Sequence, residues 1–289
     1  LSTGENKGNF LFAWSYQWRD ILKKRFDAYF KNQEAKGVAE AIVFGYKEDL
    51  DQDWMDAFSK TGTIHVLAVS GLHVGIIFFL LSNILGLSRS KGCSLQLKSA
   101  LAVLSLFFYA LLTGVSPSVS RAALMFSTVI VGKAIGRDSS IYNTLCFAAF
   151  ILVLIDPMSI FNVGFQFSFL AVVGIVFYND YFRTLLPQST WLGDRIVSLL
   201  AVSMAAQLVT FPLGLYYFHQ FSNYFLVSNL LVIPCITIIL YAGISFVALG
   251  WIADGIAHFC AWLIEVYIQF IYAVVHFLEK LPFAFFQNV

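Results

Sequence analysis

"RIVSLLAVSMAAQLVTFPLGLYYFHQFSNYFLVSNLLVIPCITIILYAGISFVALGWIAD" (Arg195 to Asp254) has 58 consecutive positions, 196 to 253, without Asp, Glu, Lys or Arg. A hydrocarbon core of about 30 Å takes about 20 helical residues, and unpaired charge inside it is costly. The stretch therefore reads as two membrane spans joined at "HQFSN" (His219 to Asn223). Further charge-free runs lie between Lys60 and Arg89, Lys98 and Arg121, Asp138 and Asp156, and Asp156 and Asp180. A shorter one follows Arg121 up to Lys133, and a last one runs from Gly255 to Glu279, interrupted only by Glu265. The pattern predicts an all-α polytopic membrane protein of about eight transmembrane helices, some of them broken.

Composition points the same way. The 289 residues are 59% hydrophobic, 17% aromatic and 12% charged, with a mean hydropathy of +0.76, well above a soluble globular chain. A formal net charge of +1 supplies no bulk attraction for nucleic acid. Cys93, Cys146, Cys235 and Cys260 have no metal or disulfide spacing and read as small apolar residues. No metal and no cofactor is expected. Leu1 opens on a polar stretch without a signal pattern, as if at the cut edge of a longer protein.

Charge divides the chain into two regions: residues 1 to 63 hold 19 of the 35 charged side chains. Within this head, "WSYQWRDILKKRFDAYF" (Trp14 to Phe30) repeats apolar residues every three or four positions, with Arg19, Lys23, Lys24 and Arg25 mainly between them. It reads as an amphipathic helix suited to the headgroup plane. Helical runs Glu34 to Tyr46 and Asp53 to Lys60 follow, the last stopping at Thr61-Gly62. If the first span starts outside, the inner loops contain Arg89, Lys91, Lys98, Lys133, Arg137, Arg183 and Arg195, and the outer loops around Ser116, Met158 and His219 contain no Lys or Arg. The positive-inside rule then places the head and the C-terminal end outside the cytoplasm. The expected organisation is an interfacial helical region, 1–63, on the outer face and a transmembrane channel domain, 64–289.

Three polar constellations interrupt the apolar body. In "TIHVLAVSGLHVGII" (Thr63 to Ile77), His65, Ser70 and His73 fall within about 140° on an ideal helix, and Gly71 and Gly75 lie one turn apart on another face. Such a helix turns a polar side inward while a neighbour packs on the glycines, and Ser70-Gly71 can mark a break whose backbone lines a cavity. His65 reads more simply as a surface residue; Ser70, Gly71 and His73 together read as functional. In "TGVSPSVSRAALM" (Thr113 to Met125), Ser116 before Pro117 predicts a helix start. Ser118, Ser120 and Arg121 then lie in its first turns, forming a site for phosphate at a helix N-terminus, unless Arg121 only snorkels to headgroups. In "DPMSIFNVGFQFSFLAVVGI" (Asp156 to Ile175), Asn162, Gln166 and Ser168 give a span a polar face, as channel lining or as interhelical glue. Gln207 and Asn229 each stand five residues before a kinking proline, Pro212 or Pro234. His258, Glu265 and His276 in the last span carry no assignable chemistry.

"HVLAVSGLHV" (His65 to Val74), "GVSPSVSRAALM" (Gly114 to Met125), "DPMSIFNVGFQFSF" (Asp156 to Phe169) and "NLLVIP" (Asn229 to Pro234) resemble, in the same order, the signature blocks of the ComEC family. The likeness runs from about Ala39 to the end. It implies the competence domain of a channel that passes one DNA strand across the bacterial cytoplasmic membrane during natural transformation. It also implies a lipid bilayer, a DNA-receptor protein on the outer side, and the OB-fold and metallo-β-lactamase-like domains of a full-length protein as partners. A strand must be driven, and no Gly-Lys-Ser/Thr phosphate loop occurs here, so a cytoplasmic ATPase or helicase is implied. On this reading the chain is a transport channel and not an enzyme. Arg121 and its serines would grip phosphate at the outer side, and His73, Ser70, Asn162, Gln166, Gln207 and Asn229 would line the path. The alternative is an intramembrane serine hydrolase with Ser70 as nucleophile and His73 or His65 as base. A small-solute transporter would require inverted halves, which the sequence does not display.

Overall fold

The computed structural model describes residues 10–87, 90–136, 140–185, 190–282 and 284–287; side chains are described from Ser15 onward and not for Gln287. Trp14 and, among the inner-loop cations, Arg89 and Arg137 therefore fall outside the described side chains. Twelve α-helices are present among the described residues. The head forms α1 (Phe10–Tyr29), α2 (Gln33–Phe44) and α3 (Gln52–Lys60). The body forms α4 (Ile64–Leu67), α5 (Gly71–Leu85), α6 (Gly92–Leu112), α7 (Pro117–Ala134), α8 (Ile141–Ile155), α9 (Val163–Leu185), α10 (Trp191–Phe218), α11 (Phe225–Leu249) and α12 (Asp254–Glu279). Helices α5 to α12 correspond one to one with the eight expected from charge spacing. Five of them, α6 and α9 to α12, are long and apolar enough to cross a membrane; α5 and α8 are shorter apolar helices.

The break falls where a serine and a glycine replace the apolar pattern, and not at the prolines. Ala68 (φ −90°, ψ 135°) and Ser70 (φ −120°, ψ 176°) are extended between α4 and α5. By contrast α10 and α11 continue through Pro212 and Pro234, so neither helix is interrupted there. Each proline removes one N–H and leaves its turn intact, as long helices supported by neighbours allow. A β-carbon on Gly62 would touch Ser222 and Phe225, at the start of α11.

The apolar stripe of α1 turns into protein. Leu22, Phe26 and Phe30, at i, i+4 and i+8, are buried, whereas Trp18 and Ile21 stay exposed. Phe26 stacks on Phe30 (ring centroids 4.8 Å) and meets Phe44 of α2 (5.3 Å) and Phe246 of α11 (4.9 Å) edge-on. These side chains share one core with Ile236, Ile239, Ile264 and Ile268 of α11 and α12. The unassigned polar residues of α12 are the ties that hold the head there: Glu265 accepts the N–H groups of Lys31 (2.6 Å) and Asn32 (3.0 Å), and His258 packs on Tyr29. Toward its other end His276 stacks on Tyr272, and Glu279 pairs with Lys60 at 2.5 Å.

A short antiparallel ribbon, β1 (Gln220–Ser222) with β2 (Phe285–Gln287), joins the α10–α11 turn to the segment after α12. Its strands are too short for periodicity to reveal. Helices α9 and α10 pack closely at Gly174, where a β-carbon would lie 2.6 Å from the Ala205 carbonyl oxygen and 2.9 Å from Val209. Because the nearer atom is backbone, it cannot swing aside. Gly174→Val is expected to cost about 1–3 kcal/mol or more, seen as a lower melting temperature of the purified protein in detergent; an unchanged melt would mean that the helices separate freely.

Candidate nucleic-acid path

The N-termini of α5, α7 and α9 are gathered by side-chain contacts. Ser70 is the N-cap of α5, and its backbone N–H and hydroxyl lie 3.2 and 3.1 Å from His73 Nδ1. Nδ1 therefore acts as acceptor, which leaves the proton on Nε2; that atom is buried without a partner. Ser116 is the N-cap of α7 with Pro117 at its first position, as expected, but its hydroxyl makes no cap bond and faces Ser118 at 3.5 Å. Ser118 donates to the Val69 carbonyl (2.7 Å), so the first turn of α7 satisfies a backbone acceptor freed by the break before α5. Gly71 and Gly75 face Ala122 and Phe126 of α7, the close approach that the glycine pair predicts.

Arg121 bridges to α9. Its Nε and Nη2 donate to the Ser168 hydroxyl at 3.2 and 3.1 Å, and it is only 7% exposed. Among the described residues no carboxylate lies within ion-pair distance of it. A β-carbon on Gly164 would stand 3.2 Å from Arg121 Nη2 and 3.1 Å from Asn162 Oδ1. Asn162 caps α9 through Phe165 N–H (3.3 Å), and Gln166 joins the Ile160 carbonyl to the Tyr217 hydroxyl of α10 (3.0 and 3.1 Å). The result is a buried guanidinium neutralised by no acid, beside three helix ends that each carry roughly half a positive charge. Anions are the species such a field stabilises. Ser120, half-buried, adds a hydroxyl without a partner.

Ser70, Gly71, His73, Ser116, Ser118, Ser120, Arg121, Asn162, Gln166 and Ser168 thus belong to one neighbourhood spread over α5, α7 and α9. His65 is exposed on α4. Gln207 lies half-buried on α10 and Asn229, 9% exposed with its Oδ1 unpartnered, on α11; no described bond joins either to the group. Sequence reading missed Gly164 and Tyr217, although the glycine between Asn162 and Gln166 is a signal for close approach. It also missed Val115, which holds φ 54° beside Gly114 in the turn entering α7. A β-branched residue there is strained by about 1–2 kcal/mol. Val115→Gly is expected to raise thermal stability by up to about 1 kcal/mol after the added freedom of the unfolded chain, and a lower melting temperature would refute the strain.

The Ser70–His73 distance also suits a nucleophile and its base, but the geometry is that of a cap. The same Nδ1 takes the Ser70 backbone N–H, and His73 Nε2 has no acid to orient it.

The family profile described as "Competence protein" matches residues 42–289. "ComE operon protein 3" of Bacillus subtilis is 33% identical over 213 residues, 73% of this chain and 26% of that protein. "Recombination protein 2" of Haemophilus influenzae is 25% identical over 224 residues (73% and 28%), and "Competence protein ComA" of Neisseria gonorrhoeae 27% over 169 (55% and 24%). The chain spans about a quarter of the length of these relatives. No solved structure matches it. With eight helices in the expected order and a match over most of its length, the chain is a multi-pass membrane protein that belongs to the Competence protein family, of the ComEC type.

Proposed function

We propose that this domain is a conduit in the bacterial cytoplasmic membrane through which single-stranded DNA enters the cell during natural transformation. The observation that carries the reading is Arg121: a buried cation with only a hydroxyl partner among the described residues, set among three helix N-termini, suits a passing phosphate. The serines and carboxamides around it hold a strand weakly enough for exit, as conduction requires. None of these groups reads a base edge, so passage is sequence-tolerant. The domain delivers the strand and does not cleave it. Force comes from a cytoplasmic ATPase or helicase, the strand from a receptor on the outer side, and any nuclease activity from other parts of a longer protein.

The test is salt-dependent binding of a fluorescent oligonucleotide to the purified protein in lipid vesicles. Removing one phosphate contact with Arg121→Ala should flatten the plot of log K against log salt by about 0.7, and by the same amount for different sequences. An unchanged slope would remove Arg121 from the path. The Ser70–His73 pair keeps a hydrolase as the second reading; covalent labelling of Ser70 by a serine-reactive phosphonate would favour it, and absence of label would end it.

A further inference from the structure

The head conceals one acid. Glu40 on α2 is 0% exposed, and neither of its carboxylate oxygens has a hydrogen-bond partner. Two lysines approach it, Lys36 one turn earlier and Lys23 from α1, but both are committed. Lys36 Nζ lies 2.5 Å from Asp27 and Lys23 Nζ 2.8 Å from Asp49, with Tyr46 also on Lys23 at 3.0 Å. An ionised Glu40 would have to share a lysine that already holds another carboxylate. Arg19 of α1 is directed at the carbonyls of Leu112 and Phe44. Helix α11 contributes no charged residue; α4 contributes His65, which is exposed; and on α12 Asp254, Glu265 and Glu279 are held by Tyr29, by the Lys31 and Asn32 N–H groups, and by Lys60, with His258 against Tyr29 and His276 against Tyr272. Burial without a partner pushes the Glu40 carboxyl up to about 7.

What α2 touches supplies the consequence. The Glu40 carbonyl accepts the N–H groups of Gly45 and Tyr46 and so closes the helix. Gly45, at φ 75°, brings the backbone against the break: its β-carbon would stand 3.2 Å from Val69 Cγ2 and 3.4 Å from the Thr113 carbonyl oxygen. Val69 is the residue whose carbonyl Ser118 holds. The C-terminal end of α2 is thus seated on both the break before α5 and the turn into α7.

We propose that Glu40 is a proton-operated latch on this site. With the carboxyl protonated, α2 stays seated on Val69 and Thr113; when the proton leaves to water, α2 loosens and frees the break. Only the identity of what the latch admits rests on the strand-passage reading. Because the closed state holds the proton more tightly than the open one, opening is favoured as pH rises from about 4.5 to about 7.

Hydrogen–deuterium exchange of the purified protein without DNA, from pH 5 to 8 and corrected for the intrinsic rate, tests this. Peptides covering 35–46 and 66–70 should exchange on the order of tenfold faster at pH 8 than at pH 5, and in Glu40→Gln they should stay at the low-pH level. A flat wild-type profile, or the same rise in Glu40→Gln, overturns the latch; if that variant does not fold, Glu40→Met must give the flat profile instead. Transformation by the same variants separates the two readings. Flat exchange sinks the latch whatever uptake does, whereas α2 opening with pH-independent uptake sinks its control of the strand.

Discussion

Cells whose only copy carries Arg121→Ala are expected to lose transformation by about a hundredfold or more while the protein keeps its abundance in the membrane. On the proposed reading the charge is what matters: Arg121 donates to Ser168 through two nitrogens and has no acid partner among the described residues. Its removal takes away the guanidinium that bridges α7 and α9 and leaves the Ser168 hydroxyl unpaired, which is a small structural loss. Arg121→Lys keeps the charge but cannot reproduce the planar two-nitrogen contact, so uptake should fall between the two. Phe79→Leu, at a position of α5 that is 61% exposed, should change nothing. Wild-type uptake in Arg121→Ala would remove the phosphate grip, and loss of the protein from the membrane would instead make Arg121 a packing residue.

Phe26→Ala is the variant expected to cost most in stability, about 3–5 kcal/mol. The ring is 0% exposed and touches three other rings, those of Phe30, Phe44 and Phe246. Alanine leaves a void between α1, α2 and α11 that none of these stiff neighbours can fill. Ile21→Ala, on the same helix but 42% exposed, should cost within about 0.5 kcal/mol. Thermal unfolding of the purified variants in detergent reads both. Equal melting temperatures for Phe26→Ala and wild type would mean that α1 rests on the surface and is not part of the core.

Much of the fold was legible because the bilayer punishes charge so heavily that Lys, Arg, Asp and Glu mark the ends of spans almost unaided. The start of α7 was legible too, since a serine before a proline has few other local uses. Pro212 and Pro234 break isolated helices, yet packing on both sides carries α10 and α11 through them. Periodicity in α1 correctly identified an apolar stripe but not what covers it, because a stripe has the same spacing whether it faces headgroups or Phe246.

The candidate site divides along the same line. Residue types alone identified Ser70, Ser118, Arg121 and Asn162 as polar groups out of place among apolar spans. That Arg121 meets Ser168, 47 positions later, or that Ser118 holds Val69 across 49, no local pattern contains, because the partners are chosen by how helices pack and not by neighbours in the chain. Sequence by itself determined the number of helices in the body, their order and the polar residues within them, since each follows from the cost of exposing charge or backbone to lipid. Only the tertiary structure decided that three helix N-termini share one neighbourhood and that Glu40 is sealed beneath two occupied lysines, since both depend on distances between segments remote in sequence.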